Sequence, residues 1–180
     1  MTTTTKKITT NTRVIKDLLT KYSDTFNALK ELLNNSIQAA STKIEIEISY
    51  TDEVNVKSSI KEISITDNGH GVSYNDFDDK ILQIGTTAKK SGQGIGRFGS
   101  FQIGELMHIE TVGFDEKKNE FSKTNFSIDT TDLRDVQLEN TDFKIDYIYF
   151  GNQKINSYYK VIIQNLHHNI NPKPAKRNQL

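Results

Sequence analysis

Three short groups of residues in this 180-residue chain have types and spacings that could do chemistry. Glu31 and Asn35 stand four apart in a stretch of helical periodicity, so they share a face, one above the other. A carboxylate there could orient or deprotonate a water. An amide oxygen could ligate Mg²⁺ beside phosphate oxygens, because that ion takes hard oxygen ligands and keeps several waters. The two residues also read as an ordinary exposed polar pair. The second group, Asp67-Asn68-Gly69-His70-Gly71, ends an apolar run at a carboxylate followed by spaced glycines. Asp67 could accept a hydrogen bond from an exocyclic amine, and Gly69 and Gly71 would let a flat ring approach the backbone. The alternative is a tight hairpin turn, since Asp and Asn are turn formers. His70 reads as a turn residue, because nothing in the sequence supplies it with a catalytic partner.

The third group is the glycine-rich run from Ser91 to Gly99. Closely spaced glycines before a helix can cradle a phosphate, since free N–H groups and the positive helix end point at the anion. Lys89, Lys90 and Arg97 add charge. A flexible loop is the other reading. Gly94, Gly96 and Gly99 match the dinucleotide pattern G-x-G-x-x-G, but that pattern needs a strand directly before it, and Gly85 to Gln93 is not one. The chain has no G-x-x-x-x-G-K-[ST] segment, and no kinase V-A-I-K strand or H-R-D loop follows.

The elements that must position these groups follow from periodicity. Met1 to about Thr12 is Thr-rich and polar, and is expected to be a flexible arm. Arg13 to Ala40 has helical spacing, with an apolar stripe through Tyr22, Phe26, Leu29, Leu32, Leu33, Ile37 and Ala40. Ser23 and Asp24 could cap a second helix within it. Lys43–Tyr50 alternates Ile44, Ile46 and Ile48 with polar residues and predicts a half-buried strand, paired through a hairpin with Ile60–Thr66. Ser73 could cap a short helix carrying Phe77, Ile81 and Leu82. A helix is expected from Phe98 to about Leu106, with strands near 107–114, 120–128, 143–150 and 158–164. Residues 13–166 form the predicted domain, and 167–180 a polar tail or linker with two prolines. The fold class is α+β: a two-layer sandwich of a mostly antiparallel mixed sheet with helices on one face.

Composition narrows the function. With 23 basic and 23 acidic residues the net charge is zero, so no global field favours nucleic acid or membrane. The absence of cysteine excludes disulfides and thiolate chemistry. No apolar run approaches the roughly 18 residues that span a bilayer. A soluble, cytoplasmic protein is expected.

Taken in order, the three groups resemble the boxes of the Bergerat-fold ATPases, the GHKL superfamily of gyrase B, ninety-kilodalton heat-shock chaperones, histidine kinases and MutL. Glu31-Leu32-Leu33-Asn34-Asn35-Ser36 looks like the N-box and Asp67 to Gly71 like the D-x-G-x-G box. Ile84-Gly85-Thr86-Thr87 looks like the start of the ATP lid, and Gly94-Ile95-Gly96-Arg97-Phe98 like the second glycine box. The resemblance implies ATP and Mg²⁺ as cofactors. It makes Glu31 the base for the attacking water, Asn35 the metal ligand and Asp67 the partner of the adenine amine, with Gly71 beneath the base. The implied nucleotide set is completed by Gly69, Thr86, Thr87, Gly94, Ile95, Gly96, Arg97 and Phe98. Two positions depart from the pattern: Gln38 stands where many members have Asp, and Tyr159 where a late Gly-Thr box would place its Thr. The implied activity is Mg-dependent ATP hydrolysis driving a conformational switch. The implied partners are a second copy of the chain, in a nucleotide-dependent homodimer, and a downstream domain or protein. A histidine-kinase-type catalytic domain is an alternative, though no H-E-x-x-P helix is present. A nucleotide-sensing module with little turnover is another.

Overall fold

The computed structural model describes residues 1–7, 25–51, 59–82, 96–130 and 142–167. Their architecture follows from one long strand. In β4 (Gly104–Asp115) the buried positions Met107, Ile109, Thr111 and Gly113 alternate with more exposed ones over much of its length, so one face of the strand looks inward. Its neighbours β5 (Glu120–Asp129) and β7 (Tyr158–Leu166) repeat the parity with Phe126 and Ile128, and with Val161 and Ile163. Outward lie β6 (Asp142–Tyr149) and β1 (Thr2–Lys7) on one side, and β3 (Ile60–Asp67) and β2 (Ile44–Tyr50) on the other. The strand order is β1-β6-β5-β4-β7-β3-β2, and every pairing is antiparallel. The parallel component of the expected mixed sheet is thus unused among the described residues.

The inner face is covered by helix α1 (Thr25–Gln38), a short π-helical turn at Asp78–Leu82 and a 3₁₀ segment at Gly96–Gln102. The core joins Ala28 and Leu32 of α1, Phe77, Ile81, Leu82 and Phe101 to the inward side chains of the sheet. Each large apolar side chain buried here contributes about 1.5–3 kcal/mol. Phe77, Phe126 and Phe143 meet edge to face in a row, with centroids 5.7 Å apart at both contacts. Among the described residues no helix is long and apolar enough to cross a membrane.

Several local expectations change. Thr2–Lys7 is an edge strand rather than part of a flexible arm: it pairs with β6, and Lys6 reaches Asp78 at 2.8 Å and the Tyr74 ring at 4.4 Å. β-branched threonines suit a pleated edge, a preference the polar composition concealed. The α1 stripe is rotated. Ala28, Leu32 and Ser36, four apart, face the core with Leu29 and Leu33 at its margin, while Phe26 and Ile37 point outward. In β2 only Ile44 packs against the core among the described residues, and Ile46 and Ile48 are exposed, the described helices ending short of this edge. The expected helix from Phe98 to Leu106 is shorter, since Gly104 already opens β4. Residues 13–24, including the proposed cap at Ser23 and Asp24, lie outside the described residues, as does 168–180.

Candidate functional site

β3 ends at Asp67, and the chain then turns back under the C-terminal end of α1. That turn is held by its own polar groups. The Asn68 side-chain oxygen accepts from the N–H groups of Thr42 and Lys43, both at 2.9 Å, and its amide donates to Thr42 Oγ1 at 2.9 Å. His70 N–H donates to Ala39 O at 3.1 Å, and Ser157 Oγ donates to Gly69 O at 2.7 Å. α1 itself stops in a Schellman arrangement: Ser41 N–H bonds Ser36 O, Ala40 N–H bonds Ile37 O, and Ala40 takes φ +55°. Helix end and strand end are thereby fixed to each other.

Between them lies a cavity of about 360 Å³, within the range of small-ligand sites. Asn35, Ser36 and Gln38 of α1 and Ala39 just after it form one wall. Asp67, Gly71, Val72 and Tyr159 form the opposite one, with Ile65, Val161, Leu32 and Ile81 as the apolar floor and Lys80 at the rim. A second cavity of about 440 Å³ adjoins it and shares His70, Gly71 and Lys80.

Asp67 is buried at 3% exposure, and its Oδ1 accepts the Gly69 N–H at 2.9 Å. Its second oxygen, Oδ2, takes no hydrogen bond from the described residues. A buried carboxylate with one committed and one open oxygen is a single-acceptor site awaiting a donor. On the facing wall Asn35 buries its Nδ2 with no partner. Asn35 lines the cavity, and amide orientation follows from the hydrogen-bond network, so either amide atom can take either position. The oxygen suits a hard cation, and among the described residues no cluster of three or more acidic or histidine side chains offers one a cage. Mg²⁺ is commonly held by one or two protein carboxylates with phosphate oxygens and water completing its shell, and a single amide oxygen would leave more of that shell to the phosphates and water.

The glycines do something other than clear space for a ring. A Cβ on Gly71 would come within 1.9 Å of Val112 O and 2.7 Å of Tyr158 O, and Gly71 has φ +62°. A Cβ on Gly69 would meet Ala39 O at 2.5 Å. Their missing side chains point into protein, and the turn presses flat onto β4 and onto the end of α1. Gly113 reciprocates on β4, where a Cβ would lie 2.4 Å from Ser73 N. Thr111 completes the seam: its buried hydroxyl accepts from Val72 N–H at 2.8 Å and donates to Tyr158 O at 3.0 Å.

The predicted residues are thus partly assembled. Asn35, Asp67 and Gly71 meet at the cavity, with Gly69 buried just behind Asp67. Glu31 is half-buried one helical turn before Asn35, about 6 Å along the axis, and does not line the cavity. Gly96 opens the 3₁₀ segment, and Gly99 lets that segment approach Ala28 of α1, with a Cβ position 3.3 Å from Ala28 O. Thr86, Thr87, Gly94 and Ile95, with the side chains of Arg97 and Phe98, lie outside the description. Sequence reasoning missed Thr111 and Lys80. Thr111 had a signal, since it holds an inward position in the run Met107, Ile109, Thr111. Lys80 had none.

Groups with displaced acidities lie elsewhere. On the outer sheet face Glu110 accepts from Tyr158 OH and from Lys123 Nζ, both at 2.6 Å. Burial pushes the Glu110 carboxyl up, but these hydrogen bonds outweigh it and leave it below the ordinary carboxylate value. At the β4–β5 hairpin, burial first and then the bond to Asp115 raise the Tyr149 hydroxyl well above a free tyrosine. Both clusters knit strands together.

Comparison with known proteins agrees with the geometry. Residues 22–154 match the family model described as histidine kinase-, DNA gyrase B-, and HSP90-like ATPase. A DNA mismatch repair protein MutL of Streptococcus pneumoniae serotype 19F (strain G54) is 33% identical over 88 residues, which are 49% of this chain and 11% of that protein. A putative MutL protein homolog 1 of Schizosaccharomyces pombe is 34% identical over 88 residues, again 49% of this chain and 10% of that protein. The chain thus spans about a tenth of the length of these relatives.

Proposed function

The chain belongs to the histidine kinase-, DNA gyrase B- and HSP90-like ATPase family, and from that premise we propose that it binds Mg·ATP in the cavity between α1 and the end of β3 and hydrolyses it. The observation that carries this reading is the buried Asp67 carboxylate in the cavity lining, with one oxygen held by Gly69 N–H and the other taking no hydrogen bond from the described residues. One free acceptor suits the single exocyclic amine of adenine, whereas the guanine edge offers two adjacent donors. Ile65, Val161 and Tyr159 would flank the base, and Gly71 would support it. Asn35 would hold Mg²⁺, which when bound neutralises charge developing on the phosphates. Glu31, one turn earlier on α1, would take the proton of the attacking water. Thr86, Thr87, Gly94, Ile95, Gly96, Arg97 and Phe98 would close over the phosphates and exclude bulk water. Closure is proposed to favour pairing of two copies and so to make ATP a conformational switch within a larger protein.

Thermal denaturation with Mg·ATP, Mg·ADP and a non-hydrolysable ATP analogue tests the binding step. Ligand at about 100 times its Kd should add roughly 2.7 kcal/mol of stability. No shift with any nucleotide would remove the proposal. A second reading, nucleotide sensing with little turnover, is favoured by one observation: Glu31 does not line the cavity. Measured turnover together with analogue-dependent dimerisation in sedimentation separates the two.

A further inference from the structure

We infer that the free edge of β2 is a docking site for an extended segment of a partner protein in which apolar and basic residues alternate. β2 ends the sheet order, and no described strand pairs with its other side. In an antiparallel pair alternate residues turn their N–H and C=O groups away from the neighbour, so β2 presents a row of backbone groups that no described strand takes up. Natural edges are usually blunted by charge, proline or a bulge. The opposite edge is blunted in this way: β1 is Thr2 to Thr5 followed by Lys6 and Lys7, polar on both faces.

β2 is not blunted on its inner face. Ile46, Ile48 and Tyr50 are 46%, 47% and 54% exposed, although the β3 residues opposite the two isoleucines, Ile65 and Ile63, are buried. The apolar surface therefore runs one strand further than its cover among the described residues. The outer face of the same strand is acidic. Glu45 and Glu47 are both exposed, the first in a surface pair with Lys43 at 2.7 Å and the second accepting from Ser64 Oγ at 3.2 Å. An added strand would set its inward residues beside Ile46, Ile48 and Tyr50 and its outward residues beside Glu45 and Glu47. Strand periodicity then specifies the occupant: apolar inward, lysine or arginine outward. A second copy of β2 fits poorly, because full-length antiparallel pairing sets the two Glu47 side chains opposite one another with Glu45 on the diagonal, and like charges in that position repel.

The probe is a fluorescein-labelled heptapeptide alternating lysine and valine, titrated against the full chain and read by anisotropy. Expected results are saturable binding, slower backbone amide exchange confined to residues 44–50, and at least tenfold weaker binding in three cases. These are a peptide N-methylated at alternate amides, a lysine–threonine peptide of the same charge, and the Ile46→Lys/Ile48→Lys protein. Both isoleucines are half exposed, so that protein should fold, and circular dichroism checks that it does. Glu45→Lys/Glu47→Lys should also weaken binding tenfold or more. Absence of binding would overturn the inference, as would equal binding of the N-methylated peptide, which would mean charge attraction alone. Dimerisation of the free chain that Ile48→Lys abolishes would overturn it too, making a second copy the occupant.

Discussion

On the sheet side of the cavity most polar groups are already engaged, whereas on the helix side they are not. The turn from Asp67 to Ser73 has its backbone bonded to Ala39, Ser157 and Thr111, and its glycines pressed against Val112 and Ala39. Across from it, Asn35 buries an unpartnered amide, and Gln38 and Glu31 carry polar groups one turn to either side. A saturated wall has little left to give a ligand beyond shape and the single open oxygen of Asp67. An unsaturated wall can exchange partners as a ligand arrives, which is what holding a metal and moving a proton require. The two walls should therefore fail differently: changes to the engaged groups of the sheet wall should lose stability and binding together, a change at the remaining Asp67 oxygen binding alone, and changes on the helix wall chemistry alone.

Gly71→Ala should be the most damaging change. It places a Cβ 1.9 Å from Val112 O at a positive φ, with an expected cost on the order of 4 kcal/mol or more. Urea denaturation should show this, and nucleotide binding should vanish with the fold. Glu31→Ala should leave the urea midpoint and Mg·ATP affinity near wild type while turnover falls by about 10²–10⁴; unchanged hydrolysis would remove Glu31 as the base. Thr111→Val strips an acceptor from Val72 N–H and a donor from Tyr158 O inside the protein. The expected loss is about 1–3 kcal/mol, and weakened affinity should accompany it, because this seam shapes the sheet wall. Ala40→Gly should be mildest and opposite in sign. Relieving an alanine at φ +55° should stabilise the chain by about 0.5–1 kcal/mol and leave affinity unchanged. Equal losses of stability on both walls would erase the distinction.

Sheet and strands were legible because their inward residues alternate over most of their length, as in Ile63 and Ile65, or Phe143 and Ile145. Edges were not. Whether Ile46 is covered depends on how far the helical layer reaches, and Thr2–Lys7 becomes a strand only because β6 offers it a partner. The α1 stripe misled for a related reason. Phe26 and Ile37 match the apolar period, but the small pair Ala28 and Gly99 decides which side of the helix closes on its neighbour. At the site, the identities of Asn35, Asp67 and Gly71 were legible from spacing. The reason for the glycines was not, since the carbonyls they accommodate come from β4, β7 and the residue after α1, all distant in the chain.

Asp67→Asn tests the account most directly. The amide keeps an oxygen for Gly69 N–H, so folding should be preserved, but it replaces the open acceptor with a donor facing the adenine amine. Calorimetric titration of Mg·ATP should give one site per chain in the wild type and roughly 10- to 100-fold weaker binding in the variant, the loss of a hydrogen bond to a charged group worth about 1.5–3 kcal/mol. Equal affinity in the two proteins, or no binding by either, would contradict the placement of ATP at this cavity.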